Sequence, residues 1–377
     1  MGRWQTGWMQ AVADFRDLDR AGADETLRVH VVSAVAGERA RVKLSNRFGS
    51  GPLNVGALSV SGGGQAVSAR FTGRTDVTVP AGQECWSDPL DVAVQRGGKV
   101  TVDLYLPTVS AHATGNYSRM FMEVSEAGDH VGSSDFPAVE LPTIEAPDGS
   151  RLPLPVPFVC GLEVFGPEVP VTAVCLGDSI TAGGWPEGAQ ELLAPRLDVV
   201  MLNAGIAGNR LRTDPAASIA SFGPSGVSRF ERDVLSVAGT SDVVIALGTN
   251  DLGLPGAAAP LADLPSAQQM IDSYRRLSAR AVEAGLDVTI ATITPFLGSE
   301  GYDDSREEIR SVVNDWIRTA APHHVDFDAV LRDAQNPRRL AEAYDSGDHL
   351  HPNTAGTARL AHAMAAHLAR RHGFAVD

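Results

Sequence analysis

Cysteine is scarce in this chain of 377 residues: Cys85, Cys160 and Cys175 are its only three. Three scattered thiols build neither a disulfide framework nor a thiolate zinc site, and each reads as a small buried hydrophobe. Long apolar runs are missing too, and none approaches the ~18 continuous residues of a membrane span. The opening Met1-Gly2-Arg3-Trp4-Gln5-Thr6-Gly7-Trp8 lacks the basic and apolar regions of a secretory signal. A cytoplasmic location is the expectation, or a secreted one where a signal has been removed. Basic residues are outnumbered, 31 Lys and Arg against 46 Asp and Glu, which leaves a formal net charge of −15. Nucleic acids and anionic membrane surfaces are bound through basic patches, so neither is expected as the main partner.

What the chain does have is the balance of a globular protein, with 44% hydrophobic and 20% charged residues. Its length predicts two domains. In the first part, short segments such as Val100-Thr101-Val102-Asp103-Leu104-Tyr105-Leu106 and Arg41-Val42-Lys43-Leu44-Ser45 alternate apolar and polar residues between glycine-rich turns. Period two over many short runs predicts an antiparallel β-sandwich. Pro147-Asp148-Gly149-Ser150 reads as the turn of a late hairpin between 139–144 and 151–159. The joint is expected at Gly166-Pro167-Glu168-Val169-Pro170, giving domains 1–167 and 168–377.

Beyond the joint, 171–176, 199–203, 242–247 and 287–292 are nearly continuous apolar runs, as for strands buried on both faces. Helical periods separate them: Met270, Tyr274, Leu277 and Ala281 form one stripe, and Ile309, Val312, Val313, Trp316, Ile317 and Ala320 another. This alternation predicts βαβ units around a parallel sheet. Ligands of such sheets lie beyond the carboxyl ends of the strands. Those positions carry Gly177-Asp178-Ser179-Ile180, then Asn203-Ala204-Gly205-Ile206-Ala207-Gly208-Asn209, then Gly248-Thr249-Asn250-Asp251. Asp348-His349-Leu350-His351-Pro352 stands before the last helical pattern. Each of these alone is ordinary turn chemistry; all four in this order are hard to assign to turns.

With these four blocks the chain resembles the SGNH hydrolase superfamily, also called the GDSL family and named for the Ser, Gly, Asn and His of its blocks. Segments 41–49, 222–235 and 325–348 look like a bacterial subgroup of GDSL lipases and esterases that carries an N-terminal β-domain. The first block reads Gly-Asp-Ser-Ile instead of Gly-Asp-Ser-Leu. The resemblance implies a jelly-roll-like accessory domain over 1–167 and a three-layer α/β/α, flavodoxin-like catalytic domain over 168–377. It further implies Ser179 as nucleophile, Asp348 and His351 as its triad partners, and Ser179, Gly208 and Asn250 as oxyanion donors.

The chemistry of these residues fits independently. A serine hydroxyl attacks well only when a base takes its proton, and an imidazole held in one tautomer by a carboxylate does so. Gly208 brings an N–H close without a Cβ, and Asn250 offers a side-chain amide. Asp178 and Asp251 flank these residues and read as caps or turn stabilisers. The His349-x-His351 pair lacks a third ligand at metal-site spacing, so neither a metal nor a cofactor is expected. Trp4, Trp8 and Trp86 read as core or domain-interface residues rather than a sugar platform. The reaction expected is hydrolysis of short-chain acyl or acetyl esters of small molecules through an acyl-enzyme. The alternative is a carbohydrate-binding protein whose β-sandwich recognises a glycan, with deacetylation of acetylated sugars as the catalytic variant.

Overall fold

A computed structural model describes residues 2–117, 121–145, 151–169, 171–194 and 199–373. Two compact units emerge, Met1–Val169 and Pro170–Asp377.

Among the described residues the strands of the first unit pair antiparallel. One sheet runs in the order Arg3–Met9, Val159–Gly166, Arg39–Ser45 and Glu84–Trp86. Another runs Phe121–Ala127, Glu25–Val32, Lys99–Leu106, Ala57–Ser61 and Val67–Ser68. The alternation explains the burial. Val100, Val102, Leu104 and Leu106 point inward together, as do Val42 and Leu44, because successive strand residues face opposite sides. Asp103 is buried as well, and its charge is met by the paired strand's Arg28 at 2.7 Å. The turn at 147–150 lies outside the described residues. Its flanks Ile144–Glu145 and Arg151–Leu152 pair for two residues each, less than the sequence predicts. Pro153, Pro155 and Pro157 withhold ladder donors there, and the chain then joins other strands at Val156–Pro157 and Val159–Gly166.

The second unit is built on five parallel strands: β1 (Val171–Gly177), β2 (Val199–Gly205), β3 (Asp242–Ala246), β4 (Asp287–Ala291) and β5 (His324–Val325). Their order is β2-β1-β3-β4-β5. This is the flavodoxin-like order, whose switch point falls between β1 and β3. On one face, Ala173, Cys175, Val199 and Met201 pack against α2 (Trp185–Leu193), α7 (Phe327–Leu331) and α8 (Thr354–Arg371). The other face carries α3 (Gly226–Phe230), α5 (Ala267–Glu283) and α6 (Asp304–Ala320). The unit is therefore a three-layer α/β/α fold.

Helix α5 buries its predicted stripe and starts with a reciprocal capping box between Ser266 and Gln269. Helix α6 departs from prediction: Val312 and Ala320 face solvent, while Arg306, Arg310 and Asn314 are buried beside Val313 and Ile317. The helix turns this way because Arg310 and Asn314 donate to the carbonyl of Ile293, just past β4, and Arg310 also pairs with Asp328 at 2.6 Å. Among the described residues no helix is long and apolar enough to cross a membrane.

Candidate active site

Three strand ends and one loop converge on the predicted residues. At the end of β1, a Cβ on Gly177 would lie 2.0 Å from Thr181 Oγ1, so only glycine lets the chain turn this tightly into α1 (Ser179–Ala182). Asp178 caps that helix, its carboxylate accepting the Ile180 N–H at 3.0 Å. Ser179 is thus the first helical residue, which leaves its N–H outside the intrahelical ladder. Burial pushes the Asp178 carboxyl up to about 6, against the pull of the Ile180 N–H.

The loop after β2 brings Gly208 in a left-handed conformation, φ +74, with the Phe222 ring 2.3 Å from where a Cβ would stand. Its neighbour Asn209 is fully buried and donates to the carbonyls of Phe222, Gly223 and Pro224. After β3, Gly248 (φ +129) turns the chain into α4 (Thr249–Gly253). There the Asn250 amide donates to the Asn209 carbonyl at 3.0 Å. Asp251 accepts the backbone N–H groups of Leu211 at 2.6 Å and Arg212 at 3.1 Å, and burial raises its carboxyl to about 6. The second and third blocks are therefore one hydrogen-bonded assembly, and both flanking aspartates are engaged with backbone.

Asp348 and His351 lie in the loop before α8, which starts only after Pro352 and the Asn353 cap. His351 Nδ1 lies 2.6 Å from Asp348 Oδ2, and His351 Nε2 lies 2.8 Å from Ser179 Oγ. Asp348 Oδ1 also accepts the N–H groups of Leu350 and His351 and the Ser346 hydroxyl. Partial burial would raise this carboxyl, but the His351 ring and the backbone donors outweigh it and hold it at about 2. A second pair, His349 Nδ1 to Asp345 Oδ2 at 2.6 Å, stands in the same loop, with His349 at φ +61. Among the described residues no group of three His, Cys, Asp or Glu side chains is placed to hold a metal ion.

Sequence reading missed three buried arginines that shape the surroundings. Arg229 donates to Asn209 and to the carbonyls of Ala204 and Gly177. Arg210 reaches Asp263, and Arg306 holds the carbonyls of Leu252 and Pro255. The latter two fasten the segment after Asn250. Their signals were faint: Arg229 stands four residues before Asp233, with which it pairs at 3.1 Å, but such a spacing reads equally as an exposed helical pair.

No curated protein matches the chain. Among solved structures, a GDSL-like lipase from Bacteroides thetaiotaomicron is 18% identical, the match covering 53% of this chain and 86% of that one at a TM-score of 0.38. A catalytic mutant of an acetylxylan esterase from Geobacillus stearothermophilus is 21% identical, covering 55% and 97% at a TM-score of 0.43. The family model of GDSL-like lipases and acylhydrolases matches residues 175–359. That span opens just before Ser179 and closes beyond His351, so all four blocks fall inside it. Over these residues the second unit carries a GDSL-like lipase/acylhydrolase domain of the SGNH/GDSL superfamily, built on its parallel sheet.

Proposed function

We propose that the protein hydrolyses carboxylic esters of short acyl groups, acetyl among them, through an acyl-enzyme on Ser179. The observation that carries this reading is the unbroken chain from Asp348 through His351 to the Ser179 hydroxyl. With its proton on Nδ1 directed at Asp348, the His351 ring leaves Nε2 to accept the Ser179 proton as Oγ attacks the ester carbonyl. The resulting oxyanion is met by the N–H groups of Ser179 and Gly208 and the Asn250 amide, each such donor being worth roughly 10²- to 10³-fold in rate. His351 then gives the proton to the departing alkoxide, and the C–O bond of the ester breaks. Water enters, loses a proton to His351 and attacks the acyl carbon; the acid leaves as Ser179 regains its proton.

In this reading residues 168–377 perform the reaction, and 1–167 form an accessory β-sandwich. Glycan stacking on that first unit finds less support: the Arg41 guanidinium lies 4.8 Å from the centroids of both the Trp4 and Trp86 rings, so each already has a cation against one face. A serine-directed organophosphonate tests the mechanism. It should label Ser179 stoichiometrically, and Ser179→Ala should abolish hydrolysis of p-nitrophenyl acetate. Labelling elsewhere, or near-normal turnover by the alanine variant, would sink the assignment.

A further inference from the structure

Arg229 has no exposed side-chain surface, yet it is one of the most heavily bonded groups in the second unit. One arm donates to the carbonyl of Gly177 at 2.8 Å, at the end of the strand that delivers Ser179. Another donates to the carbonyl of Ala204 at 2.8 Å, at the end of the strand that delivers Gly208. Nε donates to Asn209 Oδ1 at 3.0 Å, and the backbone carbonyl of that same residue receives the Asn250 amide. Asp233 supplies the counter-charge at 3.1 Å and is itself gripped by Arg232 at 2.5 Å.

A buried guanidinium needs such compensation merely to exist, and burial lowers it to about 10, which leaves it charged at neutral pH. Its choice of partners goes further than compensation. A planar fork fixes three acceptors at set angles, which a lysine ammonium cannot reproduce. Here the three acceptors belong to the strand of the nucleophile, the strand of the glycine donor, and the residue on which the amide donor rests. An oxyanion hole works because its donors are placed before charge develops.

We propose that Arg229 is a positioning residue for the oxyanion hole, holding the Ser179, Gly208 and Asn250 donors in mutual register through Gly177, Ala204 and Asn209. The inference rests on the esterase reading given above. It touches no reacting atom, so its contribution falls on kcat rather than on KM.

The test is a double-mutant cycle between Arg229→Lys and Asn250→Ala, with reactive serines counted by organophosphonate so that turnover is expressed per competent site. Arg229→Lys should lower kcat for p-nitrophenyl acetate at least tenfold, with KM within threefold of wild type. In the Asn250→Ala background the same change should cost at least threefold less than in wild type, because one of the three donors it holds is already gone. Wild-type kcat per reactive serine in Arg229→Lys overturns the proposal, and so does an undiminished loss in the Asn250→Ala background. If Arg229→Lys yields no soluble protein, Asn209→Ala and Asn209→Asp decide together: both lose the amide bonds to the carbonyls of Phe222, Gly223 and Pro224, but only the alanine variant loses the oxygen that Arg229 holds. Asn209→Ala should then lose at least threefold more kcat than Asn209→Asp, and equal losses overturn the proposal. Failure of the esterase reading itself looks different, since Asn250→Ala alone would then leave kcat unchanged.

Discussion

Asp348 and His351 keep 48% and 37% of their side-chain surface in solvent, whereas Asn250, Asn209 and Arg229 are buried residues. The proposed acid–base half of the site is a loop held by its own hydrogen bonds. The proposed oxyanion half is a buried assembly of three chain segments. Their carboxylates differ in the same sense: Asp348 is held at about 2 by the donors around it, while burial drives Asp178 and Asp251 to about 6. A group that relays protons must meet changing charge, and partial hydration eases each change. Groups that receive an oxyanion gain by not moving at all, and burial supplies that rigidity at the cost of compensating every polar atom inside.

The largest expected effects separate the two halves. His351→Ala should cost about 10⁴-fold or more in kcat/KM, since without the base the serine loses its activation. Asn250→Ala should cost about 10²- to 10³-fold in kcat with little change in KM, one donor among three. Steady-state hydrolysis of p-nitrophenyl acetate measures both. Equal losses would erase the distinction drawn between a base that acts alone and donors that share a load. Gly208→Ala comes next: its Cβ would meet the Phe222 ring at 2.3 Å in a left-handed backbone. We expect about 1–3 kcal/mol lost in urea unfolding from such crowding, together with reduced kcat. Unchanged stability would mean that Phe222 yields freely and that the loop is softer than its hydrogen bonds imply.

How much of this was legible beforehand follows the same division. The four blocks, the parallel sheet and the loop position of His351 before α8 could be read from period and order, because strand ends and prolines leave local marks. The polar floor could not. Arg229, Arg306 and Arg310 are buried by virtue of carbonyls contributed from distant loops, and no local pattern distinguishes them from solvent-facing arginines. For the same reason the predicted apolar stripe of α6 was turned: Val312 lost its place to Arg310 and Asn314, whose partners lie beyond β4.

The opposed carboxylates give a prediction on stability. Asp178 titrates near 6 in the fold against a usual 3.8, so the folded state favours its neutral form. The cost of burying it is absent well below pH 4, grows as pH rises, and levels off above 6. Asparagine caps a helix as well as aspartate and carries no charge at any pH. Asp178→Asn should therefore gain on wild type by about 2 kcal/mol in unfolding free energy between pH 4.5 and pH 7.5. Paired urea titrations measure it. A gap between the two proteins that stays constant with pH would show that Asp178 is solvated after all.

The smallest effect belongs to the histidine that most resembles the proposed base. His349 bonds Asp345 at 2.6 Å, the same distance that joins His351 to Asp348, and both pairs occupy one loop. Proximity and pairing therefore do not by themselves make a base; only His351 also has its Nε2 on the Ser179 hydroxyl. The His349 ring instead lies against Gly298, where a Cβ would meet it at 2.9 Å, and Asp345 spends its other oxygen on the backbone of the same turn. His349→Ala should accordingly keep kcat for p-nitrophenyl acetate within threefold of wild type, against the 10⁴-fold expected for His351→Ala. A tenfold or greater fall in kcat, with reactive serines counted by phosphonate, would bring His349 into the chemistry. The acid–base half would then be a four-residue network instead of one aspartate and one histidine.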